Sequence, residues 1–220
     1  MVKIENTEVV GWSAAIRGAR NPMNSWEKSD SYWTHIEDPE TLNTAPFQFF
    51  MGENDLRLLK NLADAGSDHG KYLRMIQVYC DVTGPLYWYK ELDTYRMGVE
   101  KNSCSTMHKI HAQPFTMADF SHDKLNLIGV NMLKVLVEQL EANRRLFLES
   151  KDKKFWWQLI QLLPSSYNQR RTYMFSYAAL RAIYHARKNH KLTEWHEFCD
   201  WIRTLPYAAE LITGEAADET

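Results

Sequence analysis

Hydrophobic spacing along the chain alternates between helical and strand-like patterns. Apolar residues three or four positions apart predict amphipathic helices, and alternation or β-branched enrichment predicts strands. Helices are predicted at 54–65, 86–92, 151–163, 177–187 and 191–204. Strands are predicted at 4–11, where an edge strand is expected, and at 72–82 and 171–176. The chain is therefore expected to mix helices and strands.

The longest predicted helix covers about residues 119–149. The segment Thr116–Asp119 matches a capping box, a pattern that opens helices. One apolar stripe follows, formed by Leu125, Ile128, Met132, Val135, Leu136 and Leu140. Such a stripe packs either in the core or at a subunit interface.

Residues 21–45 show no hydrophobic period and are rich in Asn, Ser, Asp and Pro. A loop of this length is usually a lid, an interface arm or a disordered segment. Trp26 and Trp33 favour an ordered arm, because aromatic side chains tend to be buried. Residues 214–220 are predicted to be a flexible acidic tail. Residues 1–213 are expected to form one domain.

Composition limits the classes of function. The 220 residues are 45% hydrophobic and 25% charged, as in soluble globular proteins. A net charge of -2 gives no overall attraction to a nucleic acid polymer. The 3 cysteines lack the spacing of a disulfide framework or a zinc site, and no metal is expected. Neither a secretion signal nor a membrane span is predicted, so a cytoplasmic protein is expected.

The polar segment Asp93–His108 is predicted to be a loop, and it combines one arginine with short hydroxyl and amide side chains. Asn102, Ser103, Ser105 and Thr106 can orient backbone amides toward a ligand, and Arg96 adds a cationic fork. This combination suggests a cradle for an anion or a nucleotide. An ordinary solvated turn is the alternative.

Arg187 ends the apolar face of a predicted helix, following Leu180, Ile183 and Tyr184 at spacings of three and four. A buried arginine needs an anionic partner. That partner is either a group of the protein, such as Glu194, Glu197 or a helix carboxyl end, or a ligand phosphate or base carbonyl.

Two segments together resemble the flavin-dependent thymidylate synthases (ThyX). The signature of that family is Arg-His-Arg, seven residues, then Ser, and Tyr95-Arg96-Met97 with Ser105 has the same spacing. The second segment runs from Leu163-Pro164 through a strand and a helix to Glu194-Trp195-His196-Glu197. It is similar to the family's Leu-Pro, strand, helix ending in Leu-Arg, and Gln-Trp-Glu run.

The resemblance implies an α+β fold with a central, mostly antiparallel sheet flanked by helices. Family members are homotetramers that hold FAD and dUMP at subunit interfaces. They make dTMP with a methylene group from methylenetetrahydrofolate and flavin reduced by NADPH. Carried over by position, the catalytic residues would be Arg187 and Ser105. Ser105, Thr106 and Arg187 would hold the substrate, and Arg96, Asn102 and Ser103 would hold the cofactor.

Several family arginines are absent from this chain. Tyr95 and Met97 replace the two flanking arginines of the signature, and Met107 and Ile160 replace two more. Ala178 and Ala182 also stand at positions that are polar in the family. Each loss removes a charge-assisted contact worth about 1.5–3 kcal/mol, unless Arg96, Lys90, Arg170 or Arg171 substitutes for it.

Three functions therefore remain open. The first is a divergent synthase that acts on or binds a pyrimidine nucleotide such as dUMP. The second is a catalytically degenerate nucleotide-binding module, in a setting such as a phage or mobile element. The third is a structural oligomer without a ligand.

Overall fold

The computed structural model describes residues 1–37 and 44–214. Strands in this part of the chain are β1 (Lys3–Val10), β2 (Tyr32–Glu37), β3 (Thr44–Phe50), β4 (Gln77–Pro85), β5 (Val99–Ser103) and β6 (Asn168–Ser176). The α-helices are α1 (Trp12–Arg20), α2 (Glu53–Asp64), α3 (Leu86–Leu92), α4 (Leu127–Ser150), α5 (Lys153–Leu162), α6 (Tyr177–Arg187) and α7 (Thr193–Arg203). Short 3-10 helices lie at Asn21–Met23, Trp26–Lys28, Gly70–Arg74 and Met117–Asp119, and a π-helix at Ala209–Thr213.

The main sheet has the order β1-β4-β6-β5, and every pair in it is antiparallel. Strands β4 and β6 pair without a bulge, from Gln77 opposite Ser176 to Pro85 opposite Asn168. Alternate residues of β4, namely Val78, Cys80 and Val82, are buried, as expected for a strand with one face on the core. The predicted α+β fold with an antiparallel sheet is confirmed, and β1 is an edge strand as predicted.

Aromatic residues fill the core between the sheet, α3 and α7. The Trp88 ring centroid lies 5.3 Å from that of Trp195 and 5.5 Å from that of Phe198. Phe175 of β6 lies 5.7 Å from Phe198 in an edge-to-face pair. Such pairs add about 0.5–1.5 kcal/mol beyond area burial, so they fix α3 and α7 against the sheet.

The long helix begins later than predicted. The capping box of Thr116 and Asp119 is present, but it opens a single 3-10 turn. Phe120 then leaves the helical path because it is buried and pairs as a β-bridge with Tyr167. Asn126 starts α4 instead, since its side chain accepts a hydrogen bond from the Gly129 amide at 2.9 Å.

The apolar stripe predicted on this helix is mostly not in the core. Leu125, Ile128, Met132 and Val135 are 45%, 71%, 70% and 58% exposed. The face of α4 that packs against α5 carries Leu133, Val137 and Leu140. Helix α4 therefore has two apolar faces. The stripe predicted from the sequence lies mainly on the exposed face.

Two other predicted boundaries were wrong. The strand predicted from residue 72 begins at Gln77, because Gly70–Arg74 forms a 3-10 helix in which the Tyr72 hydroxyl donates to the Leu59 carbonyl at 2.6 Å. The predicted polar loop at 93–108 contains strand β5. Its side chains are mostly exposed, so the sequence shows no alternation.

In the predicted arm at 21–45, the described residues form two 3-10 helices and strand β2, and residues 38–43 lie outside the described residues. Residues 32–37 and 44–50 pair as the β2–β3 ribbon. Asp55, which is fully buried, anchors residues 29–31 by accepting hydrogen bonds from the hydroxyls of Ser29 and Ser31, each at 2.7 Å. Arg20 pairs with the same carboxylate at 2.6 Å and donates to two backbone carbonyls of the arm.

Hydrogen bonding sets the charge state of this anchor. Burial raises the pKa of Asp55, but the hydrogen bonds from Ser31, Ser29 and Arg20 outweigh it, so the pKa lies below its usual range. A depressed folded-state pKa stabilises the fold above the unfolded pKa. That stability is lost as the pH falls through the folded-state value.

We predict that Asp55→Asn lowers the free energy of unfolding by about 3–5 kcal/mol at pH 7, because it leaves the buried Arg20 without an anion. The variant should also lose part of the acid dependence of stability below about pH 4. Chemical denaturation at several pH values measures both effects. Asp200→Asn, in an exposed pair with Arg203, is the control and should cost less than about 1 kcal/mol. Equal losses in the two variants would contradict the role of Asp55.

Candidate functional site

A cleft of about 600 Å³ opens beside the amino end of α6. Three segments form its walls: the loop at 94–98, the start of α6, and the turn and 3-10 helix that precede β4. Its lining residues are Ser67, Arg74, Thr94, Tyr95, Arg96, Met97, Gly98, Ser176, Ala178, Ala179 and Ala182.

Gly98 holds the loop against the helix. Its φ of 70° lies in the left-handed region, and a Cβ there would approach the Ser176 Oγ to 2.3 Å. The Gly98 carbonyl accepts a hydrogen bond from the Ser176 amide at 2.7 Å. The loop that carries Arg96 is therefore fixed directly at the start of α6.

The cleft is electropositive. Within residues 1–37 and 44–214, the side chains of Arg74 and Arg96 make no ion pair or hydrogen bond, and both are exposed. No carboxylate is among the residues that line the cleft. The amino end of α6 adds the positive end of its dipole, and the Ser176 Oγ caps it by accepting from the Ala179 amide at 3.2 Å. These features together suit an anion.

A second cleft of about 400 Å³ continues along α6 and shares Ser67, Arg74, Ala178 and Ala182 with the first. Arg181 and His185 lie in its wall. Arg181 donates to the Leu211 carbonyl at 2.9 Å, and its ion pair with Asp64 is longer, at 3.4 Å. The two clefts therefore adjoin along α6, and Arg74 lines both of them.

Asn102 and Ser103 lie away from Arg96, at the other end of β5. They line a separate, open cleft of about 450 Å³ with Cys104, Arg170 and Thr172. Five strand residues span roughly 15 Å. Arg96 and Asn102 of one copy therefore face different clefts.

Arg170, in the wall of this cleft, is neutralised by Asp81, with an N–O distance of 2.7 Å. Hydrogen bonds from Thr172, Arg170 and Asn6 hold the pKa of Asp81 well below its usual range, so the carboxylate stays charged at neutral pH.

Ser105 stabilises its own turn. The Ser105 Oγ accepts hydrogen bonds from the amides of Met107 at 3.2 Å and His108 at 2.9 Å, and lies 3.0 Å from the His108 Nδ1. Such a local arrangement is typical of Ser in turns. Ser105 is exposed and Thr106 is half-buried, and neither lines the three clefts.

Arg187 has a protein partner. Its guanidinium lies 2.9 Å from a Glu91 carboxylate oxygen, donates to the Tyr95 hydroxyl at 2.9 Å, and lies 4.8 Å from the Trp195 ring centroid. Trp195 donates its indole N–H to the same Glu91 oxygen at 2.9 Å. Arg187 lines none of the three clefts.

From the sequence, a protein group was one of the two possible partners predicted for Arg187. The carboxylates considered were those of Glu194 and Glu197. Glu194 accepts from the Tyr87 hydroxyl, and Glu197 accepts from the Val2 amide. Glu91 could not be identified from the sequence because it lies on α3, 96 residues before Arg187.

Two of the cations considered as replacements for the missing arginines form ion pairs with carboxylates of the protein. Arg170 pairs with Asp81, and Arg171 lies 2.9 Å from Asp93 and stacks over the Tyr89 ring at 3.7 Å. Lys90 is exposed and lines none of the three clefts. Arg96 is therefore the replacement candidate that faces a cleft.

Sequence reasoning missed Arg74, Ser67 and Ser176. Arg74 lies three residues before the start of β4, and Ser176 is the last residue of β6. The antiparallel register that places Gln77 opposite Ser176 brings them together. Both residues can be read in the sequence, but their proximity can be predicted only when the pairing of β4 with β6 is known.

Comparison with known proteins defines the fold. No family model matches the chain, and no curated protein sequence matches it. Two solved structures of the flavin-dependent thymidylate synthase ThyX from Helicobacter pylori, both complexed with FAD and dUMP, match with TM-scores of 0.66 and 0.67. Their sequence identities are 17% and 16%, over 96% and 97% of this chain and 98% of each of theirs. The chain therefore has a ThyX-like fold.

We predict that Glu91 and Arg187 stabilise the fold as a pair. A double-mutant cycle with Glu91→Gln and Arg187→Met should give a coupling energy of about 1 kcal/mol, because both side chains retain some solvent exposure. Chemical denaturation of the four proteins measures it. The control cycle, Glu141→Gln with Arg145→Met, tests a pair whose arginine is largely exposed and should give about 0.5 kcal/mol or less. No coupling in the first cycle would show that Arg187 does not depend on Glu91.

Proposed function

We propose that this chain is a nucleotide-binding protein with a ThyX-like fold, and that the cleft at Arg74 and Arg96 takes the phosphate groups of FAD. One observation carries the proposal: two arginines without a partner among the described residues line one cleft at the amino end of a helix. The solved structures with this fold contain FAD and dUMP, which are both phosphate-bearing nucleotides.

The chemistry of the cleft fits a diphosphate. Guanidinium forks bind phosphate oxygens through paired, charge-assisted hydrogen bonds, and the α6 dipole favours the same charge. A cleft of about 600 Å³ lies within the range of small-molecule sites, and the adjoining cleft extends it.

The floor of the cleft suits a flat ring. Ala178 and Ala182 lie one helical turn apart and leave α6 without long side chains there. The family resemblance puts polar residues at both positions. Their replacement by alanine makes this part of the cleft wider and more apolar, so ring stacking would contribute more of the affinity and polar contacts less.

The remaining assignments from the resemblance are part of the same proposal. Asn102 and Ser103 would contact the cofactor, and Ser105, Thr106 and Arg187 would contact a pyrimidine nucleotide. Because Arg96 and Asn102 face different clefts in one copy, a shared ligand would use loops from different copies. The homotetramer implied by the resemblance would supply such copies.

We predict that Arg96→Ala and Arg74→Ala each weaken FAD affinity about tenfold or more, since each removes a charge-assisted contact worth about 1.5–3 kcal/mol. Isothermal titration calorimetry of the purified protein with FAD measures the change. Arg57→Ala is the matched control, because Arg57 is exposed on α2 outside the cleft. Affinity within twofold of wild type in both cleft variants, or no FAD binding by the wild-type protein, would overturn the proposed site.

A second candidate function is the reductive methylation of dUMP to dTMP. One feature favours it: Arg187 occupies the position that, by resemblance, contacts the nucleotide. The geometry supports it less well, because Arg187 already has Glu91 and Tyr95 as partners. Tyr95 and Met97 also stand where the signature has arginines.

We predict that the protein binds FAD but forms no dTMP above background with dUMP, methylenetetrahydrofolate and NADPH. Product formation followed by chromatography tests this, with Arg187→Lys as the paired variant. Formation of dTMP by the wild-type protein and its loss in Arg187→Lys would replace the binding function with the enzymatic one.

A further inference from the structure

Tyr95 connects the wall of the cleft to the core of the protein. Its side chain is half-buried and lines the cleft beside Arg96. Its hydroxyl accepts a hydrogen bond at 2.9 Å from the Nε of Arg187, which lines none of the three clefts. One side chain of the cleft wall is therefore held by a residue that a ligand in the cleft would not meet.

Arg187 is itself fixed in direction. Its Nη1 donates to a Glu91 carboxylate oxygen at 2.9 Å, and the indole N–H of the fully buried Trp195 donates to the same oxygen at 2.9 Å. The Tyr95 ring also packs edge-on against the Trp195 ring, with 6.2 Å between their centroids. A guanidinium presents its donors in a rigid planar fork. The bond to Glu91 therefore sets the direction in which the Nε of Arg187 meets the Tyr95 hydroxyl.

The loop segment that carries Arg96 is attached on both sides. The Tyr95 hydroxyl holds one side, and the Gly98 carbonyl, which accepts from the Ser176 amide at 2.7 Å, holds the other. Arg96 and Met97 lie between these attachments, and Met97 is 83% exposed. Because the Arg96 side chain makes no ion pair or hydrogen bond with the described residues, its position depends on the attachments of its neighbours.

We propose that Tyr95 is a positioning residue for the ligand site: its hydroxyl, held by Arg187, keeps Arg96 at the cleft before a ligand arrives. The inference rests on the proposed function, in which Arg96 binds the phosphate groups of FAD. A group that is already held in place loses less conformational freedom on binding, so the affinity is higher. Tyr95 stands where the signature has an arginine, and here it contributes through its neighbour.

Tyr95→Phe tests the proposal, because it removes the hydroxyl and retains the ring that lines the cleft. Isothermal titration calorimetry should give a Kd for FAD that is raised about three- to tenfold. In an Arg96→Ala background the same change should alter the Kd less than about twofold, since the hydroxyl acts through Arg96. Tyr87→Phe is the matched control. The Tyr87 hydroxyl donates to Glu194 and lies outside the cleft, so the Kd should stay at the wild-type value.

Arg187→Lys tests the source of the constraint. Lysine keeps a positive charge for Glu91 but lacks the planar fork that reaches the Tyr95 hydroxyl at the same time. The variant should raise the Kd for FAD as much as Tyr95→Phe does, and the two changes combined should raise it no further. A Kd multiplied by both single factors in the combined variant would refute a shared route through Tyr95.

A spin label measures the loop without FAD. Cys104 is exposed and the other two cysteines are buried, so a Cys104→Ser background allows a nitroxide to be attached at Met97→Cys alone. Electron paramagnetic resonance should show a narrower line shape, and hence faster motion of the label, when Tyr95→Phe is added. Adding Tyr87→Phe should leave the line shape unchanged. Circular dichroism checks that every variant is folded.

The two readouts separate this inference from the proposed function. An unchanged line shape in the Tyr95→Phe protein would overturn the inference whether or not FAD binds. An equal effect of Tyr95→Phe on the Kd with and without Arg96 would overturn it as well. A wild-type protein that does not bind FAD would instead overturn the proposed function, and the label would still decide whether Tyr95 holds the loop.

Discussion

Charge compensation of arginine is the constraint on which this structure depends. A guanidinium removed from water must meet an anion or lose several kcal/mol. The fold meets this demand by pairing arginines with carboxylates from distant parts of the chain: Arg20 with Asp55, Arg171 with Asp93, and Arg187 with Glu91. Each pair joins segments that are far apart in the sequence.

Arg74 and Arg96 have no such partner among the described residues, and both line the same cleft. An exposed cation needs no partner for stability, but two of them facing one cleft make it a place where an anion is stabilised.

The central sheet determines where those cations lie. Because β4 and β6 pair antiparallel without a bulge, the start of β4 and the end of β6 meet at the same end of the sheet. Arg74, Ser176 and the start of α6 lie at that end. Gly98 then brings the Arg96 loop onto it, since a larger residue would collide with Ser176. The strand pairing and Gly98 together thus place Arg74 and Arg96 in the wall of one cleft.

The sequence predicted the parts of the fold that local pattern controls. Helix α6 was predicted at its observed limits, and α2 and α5 within two residues, because their apolar faces are strongly periodic. Strand β5 was missed because both of its faces are largely exposed, so no alternation marks it. The start of α4 was predicted too early because the capping box at Thr116 is present but opens only a single 3-10 turn. For the candidate site, Arg96 was named from its spacing in the sequence and lines the cleft, whereas Arg74 and the Glu91 partner of Arg187 depend on tertiary pairings that no local pattern encodes.

The central claim is that unpaired arginines, rather than the family's full signature, create the ligand site. A crystal structure of the protein with saturating FAD tests it most directly. The account predicts diphosphate oxygens within about 2.7–3.2 Å of the guanidinium groups of both Arg74 and Arg96, with the Arg187–Glu91 pair intact. FAD bound elsewhere on the protein, or phosphates held by Arg187 after it has left Glu91, would contradict it.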